Sequence, residues 1–330
     1  MTTALKISLE SIYAPIDADL KRFGTRLKNE LDSKDELIRA IHEHILKMTG
    51  KFLRPALTIF SSRIEGKPCA ESAIALGTAI ELIHTATLVH DDIIDNSDFR
   101  RNQPSVHVRW GRDISIISGD YLYAKAFLLL AGLNDPFLSK AMAACAHLMC
   151  EGEMKQVEKR KQFLMNEEDY LKIIRQKTAA LFQASCMGGA YYSGTSKANI
   201  NKLGDYGLFL GMAFQIVDDC LDLVGESKTL GKSTGLDLTK NDVTLPLLYL
   251  LQGLPASRRE ELLHRMRTTG GLELFNEIKS LAIEEKAVDS AMSRAREYRD
   301  QALAALSGIR ETPLKESLNH LAHYCIDRAR

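Results

Sequence analysis

The chain has 330 residues, 45% of them hydrophobic, and its 43 basic side chains balance 43 acidic ones. That length can bury a sizeable core, the balance argues against a dedicated nucleic-acid binder, and the apolar content argues against disorder. There is no run of about 18 uncharged apolar residues, no signal-peptide core in residues 1–10, and no C-x-x-C pair among the six cysteines. The expectation is therefore a cytoplasmic protein without a membrane span, its cysteines buried as small hydrophobes.

Apolar residues recur at three- and four-residue spacing almost everywhere, with no sustained period-2 run, so an all-α fold is predicted. In chain order, helices are expected over residues 17–31, 35–48, 55–64, 69–95, 114–131, 137–161, 167–193 and 198–224, with several shorter ones in 245–330. Pro55 is placed at a first helical position, where its missing N–H costs nothing. The helices over 69–95 and 198–224 are apolar on more than one face, as in helices surrounded by others. No Pro/Gly/Ser-rich linker or charge block divides the chain, so residues 1–330 are read as one domain.

One short pattern recurs: Asp91-Asp92-Ile93-Ile94-Asp95 and Asp218-Asp219-Cys220-Leu221-Asp222. In each, the first and third aspartates are four apart and share a helix face. Each pattern also closes a long apolar helix. Carboxylates there oppose the helix dipole by about 0.3–1 kcal/mol each, and like charges four apart add to the cost. Something cationic should offset this. Magnesium fits best, because it takes one or two carboxylates together with substrate phosphate oxygens. Calcium lacks its alternating-oxygen loop, and His84 and His90 have no partner at zinc-ligand spacing. A single such pattern reads equally well as a solvated acidic helix end. Two copies, each followed by basic residues, point to a metal cluster and a polyanionic substrate.

Cations suited to that substrate lie close by in sequence. Arg100 and Arg101 follow the first cluster and Lys232 follows the second. Lys51 and Arg54 flank a helix start, where free N–H groups favour anions, and Lys177 precedes Thr178 in an otherwise apolar helix. Each taken singly reads as a surface charge; as a set, with the acids, they describe a diphosphate site.

With these motifs in place the sequence resembles the trans-isoprenyl diphosphate synthases, or polyprenyl synthetases, of the medium- and long-chain type. The resemblance rests on G-K-x-x-R-P from Gly50, E-L-I-H-T-A-T-L-V-H-D-D-I-I-D from Glu81, Arg100-Arg101 and Gly119-Asp120. It continues through Lys177-Thr178, F-Q-x-x-D-D-x-x-D from Phe214, G-K-x-x-G-x-D-L from Gly231 and T-L-P from Thr244. It implies a helical bundle around a central cavity and head-to-tail (1'-4) condensation of isopentenyl diphosphate with an allylic diphosphate. Magnesium would be ligated by Asp91, Asp95 and Asp218, with Asp92, Asp219 and Asp222 supporting. Arg100, Lys177 and Lys232 would hold the allylic diphosphate, and Lys51, Arg54, His84 and Arg101 isopentenyl diphosphate. Gln215 and Thr178 would sit beside the reacting carbons. A homodimer is implied, with a heteromeric partner as the alternative.

Two departures stand out. The family often has R-R-G, where this chain has Arg100-Arg101-Asn102, which puts the loop conformation in question. It also often has G-K where this chain has Asn241-Asp242, which removes one customary phosphate-binding lysine and keeps open a partner subunit. Product length is read from the helix before the first cluster. In the family, large aromatics at the positions of Ala86 and Thr87 floor the cavity. Small residues here, with Ile83 a turn further down, imply a deeper tunnel floored by Phe127 or Leu128. A medium- or long-chain product of the quinone side-chain type is expected, with a shorter-chain synthase or one subunit of a two-component synthase as alternatives.

Overall fold

The computed structural model describes residues 7–160, 165–225, 235–269, 271 and 273–327. Their elements run in chain order as α1 (Leu9–Tyr13), a 3-10 turn (Ala14–Ile16), α2 (Asp17–Leu31), α3 (Glu36–Lys47), α4 (Leu53–Ser62) and α5 (Glu71–Ile94). A two-strand hairpin follows, β1 (Phe99–Arg100) and β2 (Gln103–Pro104), then α6 (Val106–Trp110), α7 (Arg112–Gly132), α8 (Pro136–Arg160) and α9 (Glu167–Ile174). Beyond a π-helical segment (Arg175–Ala179) come α10 (Ala180–Ser193), α11 (Lys197–Val224), α12 (Leu236–Thr239), α13 (Leu245–Gly253), α14 (Ala256–Thr269), α15 (Phe275–Glu284), α16 (Ala287–Ala305) and α17 (Pro313–Asp327). The architecture is all-α, as the periodicity predicts; the hairpin is the one small addition among the described residues.

Local chemistry accounts for several boundaries. Asp35 caps α3 by accepting from the Ile38 N–H at 3.0 Å, and Asn166 caps α9 through the Asp169 N–H at 2.8 Å. Both are N-cap bonds to an orphan amide of the first turn. Helix α4 starts at Leu53, two residues earlier than expected, so Pro55 is its third residue. Its absent N–H is still one of the unpaired amides of the first turn. The helix expected over 167–193 is interrupted by the π-helical segment, a local widening that apolar periodicity does not register.

The chain divides into two compact units. The first comprises Met1–Ala146, Leu181–Gly207 and Ala305–Leu321, the second His147–Ala180, Leu208–Ala304 and Ala322–Arg330. In the first, α5 packs against α2, α4 and α7. It is buried continuously from Ala73 to Ile83, which explains its apolar character on every face. Tyr206 is fully buried there and donates its hydroxyl to the Leu318 carbonyl at 2.7 Å. In the second unit, α13 packs on α9 and α15, and the core draws on Tyr170, Ile216, Val217, Leu245, Leu250 and Ile278.

By length and composition alone, two described helices could cross a membrane. The apolar window of α5 is 72% buried inside the protein and that of α7 only 33%. All six cysteines are free thiols; five are buried as expected, whereas Cys150 is exposed.

Candidate active site

The first aspartate cluster lies on the first unit, at the C-terminal end of α5, with Asp91 and Asp92 in the last turn and Asp95 as its C-cap. Asp92 is only 2% exposed. Its carboxylate takes three hydrogen bonds from Arg100: Nε donates to both oxygens at 3.0 Å, and Nη2 donates to Oδ1 at 2.7 Å. Burial lowers the Arg100 guanidinium, but the bond to Asp92 and the charges of Asp92, Asp91 and Asp95 outweigh it, leaving a net upward shift. Arg100 thus reaches α5 from a hairpin whose two-residue turn is Arg101-Asn102, at φ +50° and +60°. Two positive φ values are what a type I′ turn needs. Asn tolerates the left-handed region, so Asn102 fills the place where the family often has glycine.

The hairpin also delivers Arg101 to the backbone of Gly50. A Cβ built on Gly50 would fall 2.2 Å from Arg101 Nη2, so a side chain there would displace the end of the arginine. Together with Gly50, Glu81, His84, Asp92 and Arg100, Arg101 lines a small cavity of about 30 Å³. Loss of water, then the charges of Arg54, Arg100 and Arg101, push the His84 imidazole well below its usual range, so it is neutral. Burial brings the Arg54 guanidinium down to about 10. Its Nε is buried without a hydrogen-bond partner, and the group lies 4.6 Å over the Phe182 ring. Glu81 is also buried, which pushes its carboxyl up to about 7 against the charges of Arg54 and Arg101. Lys51 is exposed; its carbonyl accepts from the Tyr13 hydroxyl at 2.9 Å.

Further down α5, Ala86 and Ile83 are fully buried and Thr87 is half-buried, its hydroxyl donated to the His84 carbonyl. Phe127 stacks on Tyr123, which stacks on His90, at centroid distances of 6.5 and 6.2 Å. Leu128, the alternative floor, is 69% exposed on α7. That exposure removes it as a candidate for lining a cavity inside this unit.

The second cluster lies on the second unit near the end of α11. Asp219 is buried, and burial raises its carboxyl to about 7, with Asp218 and Asp222 adding to the rise. It accepts from the Tyr170 hydroxyl at 2.6 Å and from Gln215 Nε2 at 2.7 Å. Gln215 Oε1 accepts from the Thr178 hydroxyl at 2.8 Å. Asp222 receives the Asp237 N–H at 3.0 Å, and burial with the charges of Asp222, Asp219 and Asp242 holds the Asp237 carboxyl well above its usual range. Lys177 and Thr178 occupy the π-helical segment, a distortion common at functional sites. Lys177 donates to Gln156 Oε1 at 3.0 Å and is ion-paired with Glu153. This segment lies against Gly152, where a Cβ would come 2.8 Å from the Lys177 amide nitrogen. Lys232 lies outside the described residues.

Asn241 adopts φ +60°. The neighbouring Asp242 is buried and held by Arg160, whose Nε and Nη2 donate at 2.6 and 2.9 Å. The sequence motifs flagged the Asn-Asp departure but gave no sign of its partner, 82 residues away. Tyr170 was missed because no pattern of acids or cations includes it. Glu81 was quoted only as part of a motif, although it lies one turn before His84 on the same face.

The donor set suits a hard divalent cation. It consists of carboxylate oxygens, and in the second unit burial first, then the charges of neighbouring aspartates, raises Asp219 and Asp237. Among the described residues, no three His, Cys, Asp or Glu side chains form a ready cage.

Helical architecture, two aspartate clusters and an arginine-lined cavity define the class: an all-α protein equipped for diphosphate esters. The polyprenyl synthetase family model matches residues 35–276, and the chain belongs to this family and is a prenyltransferase. It is 33% identical, over 98% of both chains, to the octaprenyl diphosphate synthase of Haemophilus influenzae. It is 34% identical, over 89% of this chain and 91% of the relative, to a short chain isoprenyl diphosphate synthase of Methanothermobacter thermautotrophicus. The solved polyprenyl synthase of Caulobacter crescentus, complexed with calcium and isoprenyl diphosphate, superposes with a TM-score of 0.94 at 33% identity, covering 99% of this chain and 100% of that one.

Proposed function

We propose that this prenyltransferase carries out magnesium-dependent 1'-4 condensation of isopentenyl diphosphate with an allylic diphosphate. Its product is then a medium- or long-chain all-trans polyprenyl diphosphate serving as a quinone side-chain precursor. The observation that carries the reading is the arginine-lined cavity of the first unit, with the buried, partnerless Nε of Arg54 close to Glu81 and His84. Such a group asks for an anion. Lys51, Arg54, His84 and Arg101 take the isopentenyl diphosphate, His84 as a neutral hydrogen-bonding ring. Lys177, steadied by Gln156 and Glu153, takes the allylic diphosphate. Magnesium ions held by Asp91, Asp95 and Asp218, with Asp92, Asp219 and Asp222 in support, would stabilise the charge of the leaving diphosphate as a Lewis acid. Thr178 and Gln215 lie beside the reacting carbons. The double bond of isopentenyl diphosphate attacks the allylic carbon, and the departing diphosphate accepts the proton then lost.

The proposed length of the product rests on the small side chains of Ala86 and Thr87 below the first cluster. The exposed Ile116, Ile117 and Leu128 on α7 support a homodimer that covers this face, and a cytoplasmic location is part of the same proposal. A second reading, a subunit that needs a partner, is favoured by Asp242 standing where a lysine is customary. Incubation of the purified chain with farnesyl diphosphate, labelled isopentenyl diphosphate and magnesium, followed by sizing of the dephosphorylated products, tests both. Elongation that stops on chelation and falls by orders of magnitude in Asp91→Ala supports the first reading. Failure of the chain alone to elongate supports the second.

A further inference from the structure

Four side chains of the second unit form an unbroken run of hydrogen bonds. Tyr170 on α9 donates to Asp219 Oδ2 at 2.6 Å. Gln215, one turn before Asp219 on α11, donates from Nε2 to Oδ1 at 2.7 Å. Thr178 in the π-helical segment donates to Gln215 Oε1 at 2.8 Å. The direction of this run is dictated by what each group can do. In its ionised form Asp219 only accepts, so the amide turns its NH2 toward Asp219 and its carbonyl toward Thr178, as the two bonds show. A carbonyl only accepts as well, so the Thr178 hydroxyl must give its proton to Gln215. A hydroxyl otherwise rotates to suit its surroundings; here its lone pairs are left pointing away from Gln215.

We infer that Tyr170 is a positioning residue which, by fixing the Asp219 carboxylate, sets the orientation of the Gln215 amide and hence the polarity of the Thr178 hydroxyl. The inference deepens the prenyl-transfer reading and rests on it for its kinetic consequence. An oxygen whose lone pairs are pre-aimed stabilises positive charge developing on a neighbouring carbon without reorganising at that moment. Tyr170 touches none of the reacting atoms in this scheme. Its ring is buried in the second-unit core, in the same apolar cluster as Ile216 and Leu245, so loss of its hydroxyl alone leaves the packing in place. The carboxylate then loses one of its two fixed donors, and the amide is free to flip.

The experiment compares Tyr170→Phe, Gln215→Ala and the double variant with the wild-type protein in the condensation assay. Tyr170→Phe is expected to lower kcat about ten-fold while leaving both KM values within about two-fold, and to have little further effect in the Gln215→Ala background, as for residues acting through one network. An unchanged kcat, or the same factor in both backgrounds, overturns the inference, because a role in packing alone is independent of Gln215. A second readout needs no turnover. With 15N-glutamine labelling, the side-chain amide that vanishes in Gln215→Glu should exchange its protons with solvent at least about ten-fold faster in Tyr170→Phe. An unchanged exchange rate overturns the inference. A wild-type chain that shows this protected amide but no condensation would point to the partner-requiring reading of the function and leave the orienting role of Tyr170 standing.

Discussion

Replacing Asp92 by alanine tests how the hairpin is held to α5. Asp92 is buried, and three hydrogen bonds from Arg100 converge on it. Removing one partner of a fully buried ion pair costs about 3–5 kcal/mol, because the remaining charge is stranded. The Arg100 side chain keeps 27% of its exposure, so water recovers part of that loss and about 2–3 kcal/mol is expected. At about 2–4 °C per kcal/mol for a large domain, the melting temperature should fall by about 4–12 °C. Asp92→Ala/Arg100→Ala should melt higher than Asp92→Ala alone, since removing both charges relieves the stranded one. The change should also release Arg101 from Gly50 and raise the KM for isopentenyl diphosphate about ten-fold, equivalent to about 1.4 kcal/mol. Calorimetry and steady-state kinetics check these outcomes. A single variant melting within a degree of the wild type, or a double variant as unstable as the sum of its parts, would refute the anchoring argument.

Ala86→Phe should shorten the product by several isoprene units with little loss of turnover; an unchanged ladder on thin-layer sizing refutes the tunnel reading. Glu81, raised to about 7, keeps its proton in the folded protein where the unfolded chain has lost it. Its contribution to stability therefore declines as pH rises from about 4.5 to 7. Urea titrations should find Glu81→Gln gaining on the wild type between about pH 4.5 and 7 and keeping that gain above it, and the KM for isopentenyl diphosphate, expressed relative to that variant, should rise between pH 6 and 8. Asn102→Gly should leave melting within about 1 °C of the wild type, because Gly adopts φ +60° freely. Asn102→Val should cost about 1–2 kcal/mol, read by the same melts.

Helix content and the order of the long helices are legible in the sequence because period-3.6 burial dominates this chain. Residues 17–31 match α2 end to end, and the predicted ends of α5, α7 and α11 fall within two residues of those found. The π-helical segment is not legible, because Arg175–Ala179 departs from α-geometry through one extra residue per turn while its apolar pattern continues. The acids and cations could be picked out because their spacing carries chemistry. The partners that fix them could not: Tyr170 with Asp219, and Arg160 with Asp242, are set by how α8, α9 and α11 pack, and no local spacing encodes that. Asn102 shows the reverse. The sequence raised a doubt over a missing glycine, which the left-handed tolerance of asparagine resolves.

Helix α5 carries the first acids in its last turn and Ala86 five residues earlier. At 1.5 Å per residue those positions lie about 7.5 Å apart along one axis. On the reading proposed above, the helix would work as a measuring rod with the chemistry at its zero mark, and a side chain exchanged at a chosen depth would alter what is measured without touching the mark. Mutation would then explore product size one position at a time, with the reactive end inherited intact. On the reading proposed here, relatives named for octaprenyl and short-chain products could diverge by such exchanges on a shared scaffold.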